Sequence, residues 1–470
     1  MSELEALFEQ RRELAKSHKR AWAYYHNEAN PPWMNQGLQQ FFRKNSNYRQ
    51  NWISVIVDAV TDRLIVDGFD AGDNATATEQ IETLWDRMRL SEHAAQVHQD
   101  VVTTGEGYVL YERDGDRQVM SRQDPECMAA LYDDDIDPQK LTAAAKFYID
   151  DDRRKAVVWT DTEVQHYETG NSDAPSTADD YRLTETEVNE YGVIPVFHFR
   201  RSMRRVLPDF YSVIPLQDSL NKTFVMLGVV TEIGACKVRY IKGEGETADM
   251  PEILPGDTIG LGEGQDIGEL EGDDPGRWLK VIDSLALAMA STTRTPLHFF
   301  SAAEGNIPSG EALQAMEAPL IRKVEGYHTR LEPSWIEAMG FFARVNGVAV
   351  DDSEINLVWR NPRTMLMISQ AQARESNVRA GMPLRTQLRK EGWRENELDQ
   401  MLEDRETERP VEMDEAALEQ MYDHVAQRTE RIIEPAIVTA LEALSDAVLD
   451  EVTRGDRLQR LARAVQAEPE

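Results

Sequence analysis

Apolar residues recur at helical spacing over residues 2 to 26, and the pattern breaks at Asn30, Pro31 and Pro32. A second stripe, Ile53, Ile56, Val60 and Leu64, predicts a helix through NWISVIVDAVTDRLIVDGF that Gly68 closes. Residues 73 to 103 read as two further helices. From residue 105 the period drops. The runs GEGYVLYERDGDRQVMSR, KFYIDDDRRKAVVWTDTEVQHYE and YGVIPVFHFRR are short, β-rich and separated by Asp, Asn and Gly turns. That is the pattern of an antiparallel meander over residues 105 to 200.

Beyond Pro208, Asp209 and Phe210 the helical period returns. Ile214, Leu220, Phe224, Leu227 and Val230 fall on one stripe, and twenty residues rising 1.5 Å each would make a rod about 30 Å long. A second rod carries Trp278, Ile282, Leu285 and Met289 at steps of four, three and four. Between the rods, residues 244 to 274 hold eleven Asp or Glu and no Lys or Arg, with Gly every few positions. Such a stretch predicts turns and short strands, so two rods should flank a compact acidic tip.

The stretch TPLHFFSAAEGNIPSGEAL, residues 295 to 313, follows the second rod. It holds exposed-looking aromatics and a Gly-Asn turn, then Ser309 as an N-cap after Pro308, with Glu311 in the first turn where the helix dipole favours an anion. The helix it starts carries Leu313, Met316, Leu320, Val324, Tyr327, Leu331, Trp335, Met339 and Phe342 at steps of three and four. Pro319 and Pro333 lie inside it and predict one long helix kinked twice. INLVWRNP, 355 to 362, reads as a strand, and residues 364 to 407 as two or three short helices hinged at AGMPLR. The last 60 residues read as helical and charged, broken at Pro410 and Pro435.

Composition narrows the function. The 470 residues are 41% hydrophobic, enough for folded cores, and carry a net charge of −33. The longest apolar run, Phe224 to Val230, falls well short of the roughly 18 residues that span a bilayer. The N-terminus is charged, with no apolar signal core, so a soluble chain, intracellular at synthesis and with no membrane partner, is expected. Cys127 and Cys236 are too few for a disulfide framework. Strong acidity argues against gripping nucleic acid through phosphate neutralisation, and any contact with DNA should be weak and non-specific.

Catalytic signatures are missing from the chain. GLGEGQ lacks the Lys-Ser/Thr of a phosphate-binding loop, and GEGETAD does not open a helix after a strand. The nine His include no HExxH, so His98 and His198 read as ordinary surface or core residues. Ser309 lacks a GxSxG context, and Cys236 ends an apolar stripe. No enzyme, metal or cofactor is expected. Two readings are open on these residues: an acidic adaptor or scaffold that recruits a basic partner through residues 244 to 274, and a metal-dependent nuclease using Asp and Glu ligands.

Taken in order, seven segments resemble the portal (head-to-tail connector) proteins of tailed double-stranded DNA viruses, in the branch typified by phages of Gram-positive hosts. They are YYHNEANPP, NWISVIVDAVTDRLIVDGF, GEGYVLY, YGVIPVFHF, VIPLQDSLNKTFVMLGVV, TRTPLHFFSAAEGNIPSGEALQAMEAPLIRKVE and AGMPLRTQLRKEGWRENELDQMLEDRE, spanning about residues 20 to 407. The resemblance implies an α+β, portal-like subunit: an α/β wing, a two-helix stem, a small β-rich clip, a long kinked helix and a helical crown. Its wing would be residues 1–207, completed by the kinked helix and strand at 309–363. The stem helices would be 208–235 and 277–294, the clip 236–276, the channel (tunnel) loop 295–308 and the crown 364–410, with 411–470 a helical extension or tail.

The same resemblance implies a homo-oligomeric ring, usually of twelve copies, at one capsid vertex of the virion. DNA would pass through its channel at packaging and ejection, with the terminase large subunit, a head-tail adaptor and the major capsid protein as partners. His298, Ala303, Glu304, Gly305 and Asn306 would border the channel. Glu252, Asp257, Glu263, Asp266, Glu269 and Glu271 would form the clip's docking surface, and Leu220, Phe224, Leu227, Trp278, Ile282 and Leu285 would pack the stem. Phe299 and Phe300 are expected to pack against a neighbouring subunit and not to face DNA.

Overall fold

The computed structural model describes residues 2–29, 49–363, 376–390 and 398–404, apart from 73, 134–136, 171–174, 236–238, 243–265, 270–273, 301–309 and 402. By contacts the chain divides into two compact units, Met1–Arg394 and Glu395–Glu470. Everything below concerns the first. It mixes helix and sheet, the α+β class expected from the two periodicities.

Among the described residues four helices come first: α1 (Glu3–Tyr25), α2 (Trp52–Thr61), α3 (Ala75–Arg87) and α4 (Leu90–Thr104). Ser2 caps α1 by accepting from the Glu5 amide, and Asn51 caps α2 by accepting from Ile53 and Ser54. The helix expected through residue 69 stops at Thr61, and Gly68 closes nothing. Instead Val66–Asp70 is strand β1, paired antiparallel with β12 (Asn356–Trp359), so that Phe69 faces Leu357 in the register. The partner lies almost 300 residues away, and periodicity within 51–69 cannot reveal it.

Strands β2 (Glu106–Asp114) and β3 (Arg117–Gln123) form a hairpin that β9 (Val196–Arg200) joins in the order β3-β2-β9. Between them runs a five-stranded antiparallel meander of β4 (Met128–Asp133), β5 (Asp137–Asp150), β6 (Arg153–Trp159), β7 (Glu163–Thr169) and β8 (Tyr181–Val188). Alternation along β5 gives each face its own core. Ala143, Ala145 and Phe147 meet Leu4, Leu7 and Phe8 of α1, whereas Ala144 meets Tyr108, Leu110 and Val196 of the smaller sheet. The larger sheet is therefore covered by a helix on one side and a sheet on the other.

Next come α5 (Ile214–Ala235), β10 (Arg239–Lys242), β11 (Asp266–Glu269), α6 (Pro275–Thr293) and the 36-residue α7 (Gly310–Val345). Helix α7 is continuous through Pro319 and Pro333. Its predicted stripe is the spine of the main core from Leu320 on: Leu320, Val324, Tyr327, Leu331, Trp335, Met339 and Phe342 are all buried, whereas Leu313 is half-buried and Met316, near the start of the helix, is exposed. Trp335 is edge-on to Trp85, with centroids 5.2 Å apart, and lies 4.6 Å from Phe199. Its indole N–H donates to His98 Nε2 at 2.9 Å, and His98 Nδ1 lies 2.8 Å from the Leu64 carbonyl. The carbonyl can only accept, so His98 is a neutral Nδ1–H tautomer that joins α4, α7 and the end of the α2 segment. Helix α8 (Leu384–Lys390) follows β12.

Gly105 is required where α4 turns into β2. Its φ is +104°, and a Cβ there would stand 2.5 Å from the Leu207 amide nitrogen. Gly105→Ala should lower stability by roughly 2 kcal/mol or more. Gly115→Ala, at φ +58° with open space around it, should cost only about 1 kcal/mol; comparable urea midpoints for the two variants would contradict the steric argument.

Complete burial pushes the His98 pKa down to about 4 from the 6.5 of a free imidazole. The unfolded chain then binds the proton first, so this stabilisation is full above pH 6.5 and is lost as pH falls from 6.5 towards 4. At most it amounts to about 3 kcal/mol. His98→Gln should be less stable at pH 7 and show a shallower loss of urea midpoint between pH 6.5 and 4; an unchanged slope would refute the assignment.

Candidate functional site

The segment linking α6 to α7 sits where the chain's two rods meet its core. Helices α5 and α6 pack together, with Leu220 and Ile282 buried in the main core and Phe224, Leu227 and Leu285 half-buried against it. Trp278 is half-buried as well. All six expected stem residues therefore lie on the two helices, five of them in or against the core. The far ends lead to a two-stranded antiparallel ribbon, β10 with β11, whose register sets Arg239 opposite Glu269 and Lys242 opposite Asp266. Asp266 and Glu269 thus stand on β11, while Glu252, Asp257, Glu263 and Glu271 lie outside the described residues.

At its other end α6 stops on Arg294, whose left-handed backbone (φ 59°) closes the helix with an N–H bond to the Ala290 carbonyl. Thr293 Oγ1 donates to the Met289 carbonyl at 2.7 Å and accepts from the Thr295 hydroxyl at 3.0 Å. Pro296 begins a single 3-10 turn, Leu297–Phe299. The turn is fastened to its own subunit by side chains. Phe300 is buried edge-on to Trp52 with centroids 5.4 Å apart, and the Arg63 guanidinium lies 5.7 Å from the Phe299 ring. Arg63 reaches Glu317 at 3.5 Å, and half-buried His298 stands 3.9 Å from the same carboxylate.

The expectation that Phe300 packs on a neighbouring subunit is thereby corrected, since it is buried on Trp52 of the same chain, while half-buried Phe299 lies beside Arg63. Those partners lie almost 250 residues away in sequence, so the local pattern could not name them. Ala303, Glu304, Gly305, Asn306 and the Ser309 cap lie outside the described residues. What the structure does fix is where that loop departs, at the anchored Phe300, and where it returns, at Gly310 on α7.

One carboxylate holds the base of this region. Asp209, just before α5, accepts from the Tyr327 hydroxyl at 3.0 Å and pairs with Arg201 at 3.4 Å and with Lys323. The Lys323 ammonium also donates to the Thr293 carbonyl at 2.9 Å. Thus the start of α5, the end of α6 and the flank of α7 meet at one point. Burial, followed by the Asp209 charge, drives the Tyr327 pKa well up, so the phenol stays a donor. No motif announces this cluster; only the Pro-Asp-Phe break at 208–210 marks its place in the sequence.

A second buried cluster escaped the sequence reading. Glu106 on β2 contacts His18 of α1 through one oxygen (3.3 Å), and His198 of β9 (3.0 Å) and the Tyr108 hydroxyl (3.2 Å) through the other. Tyr108 stacks on His198 with rings 4.3 Å apart. Burial lowers the pKa of both histidines, against the opposing pull of Glu106. His98 and His198 are core residues, as one of the two bland readings had it. The described residues hold no group of three or more His, Cys, Asp or Glu placed to hold a metal ion. None of their helices is long and apolar enough to cross a membrane.

The profile of the phage portal protein family, SPP1 Gp6-like, matches residues 15–411. The portal protein of Mycobacterium phage D29 is 24% identical over 354 residues, 67% of this chain and 70% of the relative. The portal protein of Mycobacterium phage L5 is 24% identical over 356 residues, with the same coverage. Among solved structures, a chain from the neck of an empty gene transfer agent particle aligns at TM-score 0.44 and 12% identity, over 75% of this chain and 91% of that one. A chain of the native gene transfer agent virion aligns at TM-score 0.42 and 12% identity, over 78% and 94%.

Asp209→Asn should leave Lys323 and Arg201 without their carboxylate and destabilise the chain by about 3 kcal/mol. Adding Lys323→Met should restore part of the urea midpoint. If the double variant is no more stable than Asp209→Asn alone, the two groups are not coupled.

Proposed function

Because the chain belongs to the phage portal protein family, SPP1 Gp6-like, we propose that it assembles as a ring of copies at one capsid vertex, twelve being the number usual in that family. A portal is a structural component of the virion, at the junction of head and tail, and the family assignment does not favour the adaptor and nuclease readings. Within the subunit, residues 1–207 with 309–363 form the wing, α5 and α6 the stem, 236–276 the clip, 295–308 the channel loop and 364–410 the crown. During assembly in the host cytoplasm the terminase large subunit engages the ring, and the acidic clip afterwards receives a head-tail adaptor. The shell of major capsid protein surrounds it.

The observation that supports this reading best is the hinge. Two packed helices bracket a two-stranded tip, and the segment leaving the second helix is fastened by Phe300, Phe299 and Lys323 before a loop departs and returns at α7. The chain's acidity suits passage over retention, since few cations are available to trap phosphates.

Deleting Ala303–Asn306 should leave the oligomer intact by electron microscopy but lower the yield of DNA-filled particles at least tenfold in an assembly assay. Full particles at the normal yield would sink the assignment of this loop to the channel. Loss of the oligomer itself would instead make the segment an assembly element.

A further inference from the structure

The chain carries 84 acidic and 51 basic side chains, so a surface dominated by cations runs against its composition. One such surface exists. A cleft of about 930 Å³ lies among β9, the end of α6 and the flank of α7. Six Arg or Lys line it against two carboxylates, Asp209 and Glu337. Asp209 is already engaged by Arg201, Lys323 and Tyr327. Arg294, Arg322 and Arg330 are exposed, and among the described residues none of them has a carboxylate partner. Arg200 lies 3.8 Å over the Tyr132 ring, also without one.

We propose that this cleft receives a carboxylate-bearing segment from a second copy of the chain. Three observations favour that occupant. Asp and Glu outnumber Lys and Arg over the whole sequence, so wherever copies meet, a cationic surface on one most often faces carboxylates on the other. The cleft's volume is that of a small-ligand pocket, suited to a few side chains of a peptide segment. Its rim is partly apolar, with Met203 63% exposed beside Leu141, which suits a protein contact better than a phosphate backbone. Guanidinium groups pair bidentately with carboxylates, so Arg294, Arg322 and Arg330, the last lying 5.7 Å from the Tyr327 ring centroid, can fix the orientation of the incoming segment as well as neutralise it. Rings of copies that each carry −33 need such complementary contacts, because their net charges repel.

The proposal rests on the ring reading above, and the test separates the two. Full-length wild type and Arg294→Glu/Arg322→Glu/Arg330→Glu are compared by mass photometry across a dilution series, with urea midpoints as a folding control. The triple variant should keep its fold and need at least tenfold more protein to assemble. In parallel, R322K protein mixed from ¹⁴N and ¹⁵N preparations is treated with a carbodiimide. Mass spectrometry should find mixed-isotope cross-links from the introduced amine to Asp or Glu. Wild-type assemblies matched by the triple variant, with no mixed-isotope cross-link from the cleft, would overturn the cleft proposal alone. A wild-type chain that stays monomeric would overturn the ring reading and this proposal together. Binding of inorganic phosphate or of a short DNA duplex that the triple variant loses while still assembling normally would make the cleft a phosphate site and overturn the proposal.

Discussion

Asp209 ties together three parts of the chain that the sequence keeps far apart. It stands before the first rod, holds Tyr327 and Lys323 on the long helix, and through Lys323 reaches the last carbonyls of the second rod. Without a carboxylate there, two half-buried cations and a buried phenol would lose their partner, at a cost of about 3 kcal/mol. The α5–α6 pair is therefore built onto the α7 spine, and the hinge between the rods and that spine starts from a fixed point. The aromatic anchors complete the arrangement: Phe300 on Trp52 and Phe299 beneath Arg63 carry the chain up to the residue where the loop departs.

The long helix is a spine in a second sense. Trp335 sits at its centre, packed on Trp85 and Phe199, and its N–H requires an acceptor in a place without water. Neutral His98 supplies that acceptor and donates its own Nδ1–H to the Leu64 carbonyl. Glu106 plays the corresponding role between the sheets and α1, with two histidines and a tyrosine around it. Both clusters place titratable groups where solvent cannot reach them, and both join segments distant in sequence. They are structural devices: Trp335, His98 and the Leu64 carbonyl form one hydrogen-bonded chain, and Glu106 Oε2 is bonded by His198 and Tyr108.

Much of this was legible beforehand because local periodicity reports burial. The stripe from Leu320 to Phe342 reads directly as the face of α7 that is buried, and the two rods appear from Ile214–Val230 and Trp278–Met289 for the same reason. The switch to period two after residue 105 marks the sheets, and the alternation of Ala143, Ala144 and Ala145 between two cores shows why small residues cluster there. What stayed hidden is non-local. Strand β1 was read as the tail of a helix because its partner, Asn356–Trp359, lies far along the chain. Phe299 and Phe300 looked exposed for the same reason, and Asp209, Lys323 and Glu106 carry no motif. The family resemblance supplied the order of elements but not these contacts.

The central claim is that a subunit with a fastened two-helix stem and hinge builds a portal ring. Class-averaged electron micrographs of the purified chain, viewed end-on at low and high salt, test it most directly. The account predicts closed rings of a single symmetry with an open centre; particles that remain monomeric at both salt concentrations would contradict it.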